Sequence, residues 1–171
     1  MKAIRNAYAE QGVENYYQTQ GNVYQNPHFP FIRQLLRQNE GRIDYTYIFD
    51  FCAGGGEATL AVKELGYSDQ IGCDPFTSDL YVKNTDKTCW SLSFEDVVKG
   101  KLAQFEHVLA ANNWEKKPFS STVCSFAMHL CPEKLLFSLT EQLFKVSEKN
   151  CHHHASQTTC FRIVAKLPIR F

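Results

Sequence analysis

The sequence predicts an α/β fold of three layers, with helices on both faces of a mostly parallel sheet. Three observations carry the prediction. Short β-favouring apolar runs alternate with segments of helical periodicity along most of the chain. Three consecutive glycines, Gly54 to Gly56, stand between the first such strand and the helix after it. An acid, Asp74, closes the following strand. Strand–helix–strand units of this kind cross over right-handedly and make neighbouring strands parallel.

An aromatic-rich amino-terminal arm containing Tyr8, Tyr16, Tyr17 and Tyr24 precedes the first helix, where Pro27 and Pro30 break the chain and Ile32, Leu35 and Leu36 fall at helical spacing. Tyr45 to Cys52 is the first buried strand. Glu57 to Leu65 is a helix with Ala58, Ala61 and Leu65 on one face, ended by Gly66 in the place of a left-handed cap. Gln70 to Asp74 is the second strand, stopped by Pro75, and Thr88 to Leu92 a weaker third. Ser93 then reads as an N-cap with Glu95 and Asp96 in the first turn, where the helix dipole favours acids. The helix behind it carries Val98, Leu102, Phe105 and Leu109 at spacings of four, three and four. Ser120 to His129 is the fourth strand. Pro132 opens a long helix marked by Leu136, Leu139, Leu143 and Val146, and Cys160 to Leu167 is the fifth strand. All of it makes one domain, 1–171, in keeping with its length.

Composition excludes several classes. Lys+Arg 18 against Asp+Glu 18 leaves no net charge for capturing nucleic acid or an anionic membrane. No apolar run reaches the length of a membrane span, and the polar start MKAIRNAYAEQ, followed by Glu14, is neither a signal nor a transit peptide. The cysteines are odd in number, scattered, and without C-x-x-C spacing. They read as reduced thiols of a cytoplasmic protein with no zinc site.

Each glycine in the turn costs backbone entropy, so a run of three needs a reason, and bare main chain against a ligand supplies one. Asp74 lies eighteen residues past Gly56, a distance that suits a carboxylate meeting the hydroxyls of a ribose. A dinucleotide site wants a small residue where Thr59 stands, and no Gly-Lys-Ser/Thr follows for a phosphate loop. Asp50, four residues before Gly54, is expected at the strand end facing a cation, where it would repel a pyrophosphate.

The segment Asp50-Phe51-Cys52-Ala53-Gly54-Gly55-Gly56 resembles the first motif of class I S-adenosylmethionine methyltransferases, and the resemblance runs from about Tyr45 to Val146. It implies a Rossmann-like sheet in the order 3-2-1-4-5. The family usually adds a sixth and a seventh strand, for which the chain, ending at Phe171, leaves no room. It also implies S-adenosyl-L-methionine as cofactor, held by Asp50, Cys52, Ala53, Gly54, Gly55, Gly56, Asp74, Pro75, Phe76, Ser93, Phe94 and Ser125. Asp74 matches the ribose acid, and Ser93-Phe94 falls where the family contacts adenine, though many members carry Asp at the place of Ser93. Cys52 replaces the first glycine of the motif and is expected to forbid positive φ there. The fourth strand, running into His129-Leu130, is similar to that of members acting on small substrates. The arm from Tyr16 to His28 looks like the segment before the first motif in an uncharacterised bacterial group, expected to close over the cofactor.

Three residues are candidates for catalysis: His129 at the mouth of the fourth strand, His28 beside its prolines, and Tyr24 in the arm. A histidine titrates near neutrality and suits a general base, but serves equally as a hydrogen-bonding residue. Tyr16, Tyr17 and Tyr24 either cover the sulfonium by cation–π contact or form the apolar side of a packed helix. Cys124 and Cys131-Pro132 read as buried small hydrophobes before they read as nucleophiles, and Cys151 to His154 as an exposed loop that picks up metal adventitiously. The expected activity is methyl transfer to a small-molecule acceptor, without nucleic acid or membrane as partner. The alternative is a non-catalytic module that dimerises through the edge of its fifth strand. A nicotinamide oxidoreductase is disfavoured by Asp50 and Thr59.

Overall fold

The computed structural model describes residues 26–104 and 119–147. Pro30 at the start of α1 (Phe29–Gln38) presets the helical φ where no N–H partner is needed. The chain then forms β1 (Ile48–Phe51), α2 (Glu57–Glu64), β2 (Gln70–Cys73), α3 (Ser78–Thr85), β3 (Cys89–Trp90), α4 (Phe94–Val98), β4 (Ser121–Val123), a 3-10 turn at Met128–Leu130 and α5 (Glu133–Ser147). The strands are all parallel, in the order β3-β2-β1-β4, with Asp50 opposite Gly72 on one side and Val123 on the other.

Alternating residues of β1 feed two cores. Ile48 joins Ile32 and Leu36 of α1 and Ala58, Ala61 and Val62 of α2 on one face. Phe49 and Phe51 face the other way, with Ile71, Trp90, Val97 of α4, Phe119, and Leu139 and Leu143 of α5. The result is a three-layer, Rossmann-like α/β sandwich in which β1 and β2 are buried along their whole length, as strands covered on both faces must be. Tyr45 is buried ahead of β1 and donates its hydroxyl to Leu36 O (2.9 Å), tying α1 to the sheet.

Several boundaries differ from the sequence expectation. β1 starts at Ile48 rather than Tyr45, and β3 is reduced to Cys89–Trp90. β4 ends at Val123 because Phe126 takes φ 58, which no strand continues through. α4 stops at Val98, with Gly100 at φ 79, rather than running on through Leu102. Leu136 of α5 lies 39% exposed instead of on the buried face with Leu139 and Leu143. The helix α3 has no counterpart in the sequence reading. Phe105, Leu109 and the expected fifth strand lie outside the described residues, as does the amino-terminal arm up to Gln25. No helix among the described residues is long and apolar enough to cross a membrane.

Candidate functional site

The glycine turn joins the carboxyl end of β1 to the start of α2, beside the end of β2, the usual place of ligands in parallel sheets. Its left-handed conformation begins two residues earlier than the glycines, at Cys52. Cys52 has φ 57, so the thiol side chain occupies the left-handed region that the sequence argument had barred to it. A non-glycine residue there costs about 1–2 kcal/mol. The kink has an evident effect: strand alternation would aim Cys52 with Asp50 and Ile48, yet it packs with Phe51 and Cys124 on the opposite core. The hydrogen bond with the neighbouring Cys124 thiol, followed by burial, pushes its pKa well up, so it is a packed thiol and not a nucleophile. Cys52, Cys73, Cys89, Cys124 and Cys131 are all unbridged.

The three glycines do not all serve one purpose. Gly56 has φ 89, and a Cβ on it would collide with Thr85 and lie 3.2 Å from the Tyr81 ring. Tyr81 also lies over Gly72 of β2, where an added Cβ would approach the ring to 2.5 Å. Gly56 is therefore required by the packing of α3, not by a ligand. Ala53 is buried, donating its N–H to Cys73 O (3.1 Å) and accepting from Gly56 N–H (2.8 Å). Gly54 is half-buried and Gly55 buried; the carboxylate of Glu57 lies against both, and Asn84, which donates to Gly55 O (2.9 Å), lies against Gly55 as well.

Asp50 does not look into the crevice as the sequence reading expected. It is fully buried, and its Oδ2 accepts both the main-chain N–H (3.1 Å) and the hydroxyl (2.8 Å) of Thr59. Thr59 shares its hydroxyl with the Tyr81 hydroxyl (2.7 Å). The other oxygen, Oδ1, is buried without a partner. Desolvation above all, with Glu57 and Asp74 adding repulsion against the opposing bonds from Thr59, pushes the Asp50 pKa up to about 7.

Asp74 does face the turn. Its Oδ2 accepts Gly54 N–H (3.2 Å), and its Oδ1 accepts Phe76 N–H (2.9 Å) and Thr77 N–H (3.0 Å). Thr77 returns the link by donating its hydroxyl to Gly54 O (2.7 Å). Of the residues expected around an adenine, Phe76 is 49% exposed next to Asp74, and Pro75 lies beneath Ser91, which donates to its carbonyl (3.3 Å). Phe94 instead packs edge-on to Phe51 in the core (5.9 Å). The Ser93 hydroxyl is occupied in a capping box: it accepts Asp96 N–H and donates to Asp96 Oδ2 (2.9 Å).

Glu57 was read from the sequence only as the start of a helix. In the structure its carboxylate accepts the main-chain N–H of Gly55 and of Glu57 itself, and it also bonds the Asn26 side chain. A Cβ built on Gly54 or Gly55 would lie 3.2 or 3.1 Å from its oxygens. Burial, followed by the bonds that oppose it and by repulsion from Asp74, leaves the Glu57 pKa raised. Asn26 is oriented by accepting His28 N–H at its Oδ1 (2.9 Å), so its amide NH2 is the group left for Glu57. His28 in turn stacks on Phe126 just past β4, with ring centroids 4.7 Å apart and planes 13° from parallel. Asn26, Glu57, His28 and Phe126 thus form one bridge from the glycine turn to the end of β4. Its sequence signal is visible in retrospect: an acid directly after the last glycine, and an Asn-Pro-His step before the first helix.

The remaining candidates are separated. Ser125 is half-buried at the end of β4, and His129 is exposed on the 3-10 turn six residues beyond the strand. Tyr24, Tyr16 and Tyr17, and Cys151 to His154, lie outside the described residues. A shallow groove lined by Pro30, Arg33 and Arg37 belongs to the outer face of α1 alone and gathers no converging groups.

No protein-family model matches the chain. It is similar to an uncharacterised protein of Schizosaccharomyces pombe, 27% identical over 169 residues, in a match that takes in 77% of this chain. The chain spans 65% of that relative's length. The chemistry of the site rests on its geometry: two carboxylates, Glu57 and Asp74, stand at a tight turn with Asp50 buried behind it, and no Lys or Arg among the described residues pairs with any of the three.

Proposed function

We propose that the protein is an S-adenosylmethionine-dependent methyltransferase acting on a small-molecule acceptor. The observation that carries this reading is the pair of carboxylates at the glycine turn, Glu57 and Asp74, with which no Lys or Arg among the described residues pairs. A site short of positive charge suits a cationic ligand. A phosphate suits it poorly, because the Glu57 carboxylate stands at the start of α2 and the N–H groups of Gly56 and Thr59 are already taken by Ala53 O and Asp50. S-adenosylmethionine supplies a sulfonium methyl for displacement by a nucleophile held in line with it. The chain's own residues would bind and orient it: Asp74 at the ribose hydroxyls, the exposed Phe76 beside the base, and the Gly54–Gly55 main chain under the amino-acid end. Orientation alone provides much of the acceleration in such displacements, so a base is not obligatory. If one acts, His28 is better placed than His129, since it stands at the end of β4 on the bridge to the turn. Charge balance and unbridged cysteines support a cytoplasmic setting and an acceptor other than nucleic acid.

Titration calorimetry with S-adenosylmethionine tests the reading directly, and no heat at millimolar ligand would remove it. Asp74→Asn is the informative variant. Asp74→Ala would strip acceptors from three N–H groups, whereas Asn keeps an acceptor for Phe76 and Thr77 N–H, removes the charge and loses only the bond from Gly54 N–H. The expected result is weaker binding by about tenfold or more, with an unfolding transition lowered less than by Asp74→Ala.

A further inference from the structure

We infer that Glu57 sets a charge preference at this site, so that the cationic sulfonium form of the ligand is held more tightly than its neutral thioether product. The inference rests on the methyltransferase reading and extends it to product release. Glu57 is placed to act in this way by three contacts: the Gly55 N–H, its own N–H, and the Asn26 amide, which is oriented by His28. These hold the carboxylate against Gly54 and Gly55, its oxygens 3.2 and 3.1 Å from where a Cβ on each would stand. Behind the turn, the buried Asp50 presents an oxygen, Oδ1, with no partner, and beside it Asp74 reaches Gly54. No cation among the described residues offsets these groups.

The demethylated product differs from the cofactor by one methyl group and one positive charge. Shape gives the site little with which to distinguish them, because a single methyl is a small difference. Charge gives it more. A positive sulfur near the partly buried carboxylates of Glu57 and Asp74, with Asp50 buried behind them, gains at an effective dielectric well below that of water, and a neutral sulfur gains nothing. The raised pKa values of Asp50 and Glu57 agree with a site that lacks a cation, since the arrival of one favours the ionised forms.

The test compares dissociation constants at pH 8 for S-adenosylmethionine, S-adenosylhomocysteine and the analogue carrying an amine in place of the S-methyl group. Wild-type protein is expected to hold both cationic ligands about tenfold more tightly than the thioether. Glu57→Gln is expected to lose most of that ratio by weakening the cations, with thioether affinity held within about twofold. Equal wild-type affinity for all three ligands overturns the inference and leaves the methyltransferase reading standing. So does a Gln variant that weakens cation and thioether alike, since Glu57 would then be structural. Absence of binding by any of the three removes both. The amine analogue keeps the question open to a decision on wild-type protein alone if the variant fails to fold.

Discussion

Thr59 gives both its main-chain N–H and its hydroxyl to a single oxygen of Asp50, at 3.1 and 2.8 Å, and leaves the second oxygen buried with no donor. The carboxyl is therefore oriented by its neighbours but poorly stabilised as an anion. Its proton is held until about pH 7, whereas an unfolded chain releases it near 3.8.

Between those values the folded protein binds a proton that the unfolded chain has lost. The stability contributed by Asp50 is complete below about pH 4 and drains away as pH rises through 7. Wild-type protein should be less stable at pH 8 than at pH 5, by on the order of 2 kcal/mol from this group. Asp50→Asn should flatten that slope and be the more stable protein at pH 8. Urea unfolding at the two pH values checks it; parallel slopes for both proteins would refute the assignment.

Tyr81 stands against both Gly56 and Gly72. Gly72→Ala should cost about 2–3 kcal/mol through overpacking, and Gly56→Ala at least as much because φ 89 adds backbone strain. Tyr81→Leu should recover part of the Gly72→Ala loss. A double-mutant cycle in thermal unfolding measures this, and strict additivity would mean that the ring does not set the spacing.

Cys52 at φ 57 predicts an unusual tolerance. Cys52→Gly should change stability by less than about 1 kcal/mol, since relief of the left-handed backbone offsets lost packing and greater unfolded-chain freedom. Cys52→Val, β-branched in the same conformation, should cost about 2 kcal/mol or more. Matching effects of the two substitutions in chemical denaturation would contradict the conformational account.

The His28–Phe126 stack predicts coupling between segments far apart in sequence. His28→Ala and Phe126→Ala should show a coupling energy of about 0.5–1.5 kcal/mol in a double-mutant cycle. Zero coupling would mean that the rings are adjacent without supporting each other.

The layered fold was legible because its signals are periodic and redundant. Leu139 and Leu143 at helical spacing, the apolar run into Phe51, and the Ser93 cap with its acids in the next turn each survive local noise. The helix α3 was not legible. Its stretch Ser78–Thr85 is mostly polar, and its one large buried side chain, Tyr81, gives no period; Thr77 and Asp79 were the available start signals. β4 was overextended because nothing in Cys124 to His129 announces the positive φ at Phe126. In the site, the place of Asp74 beside the turn was readable from its position at a strand end, eighteen residues past Gly56. Asp50 was misdirected because its partner, Thr59, lies in the first turn of the next helix, beyond the glycine turn, and side-chain pairing of that kind leaves no mark in spacing. Glu57 was overlooked because an acid in the first turn of a helix already has an ordinary explanation.

The wedge formed by Tyr81 has a consequence for how such chains are recognised. One aromatic ring, with Thr85 beside it, leaves no room for a side chain at Gly56, the last glycine of the turn, or at Gly72 in the neighbouring strand. Packing alone accounts for Gly56, with or without a ligand. In this protein the glycine pattern is in part the mould of its own phenol, and the side chains facing Gly54 and Gly55 are the better witnesses to chemistry.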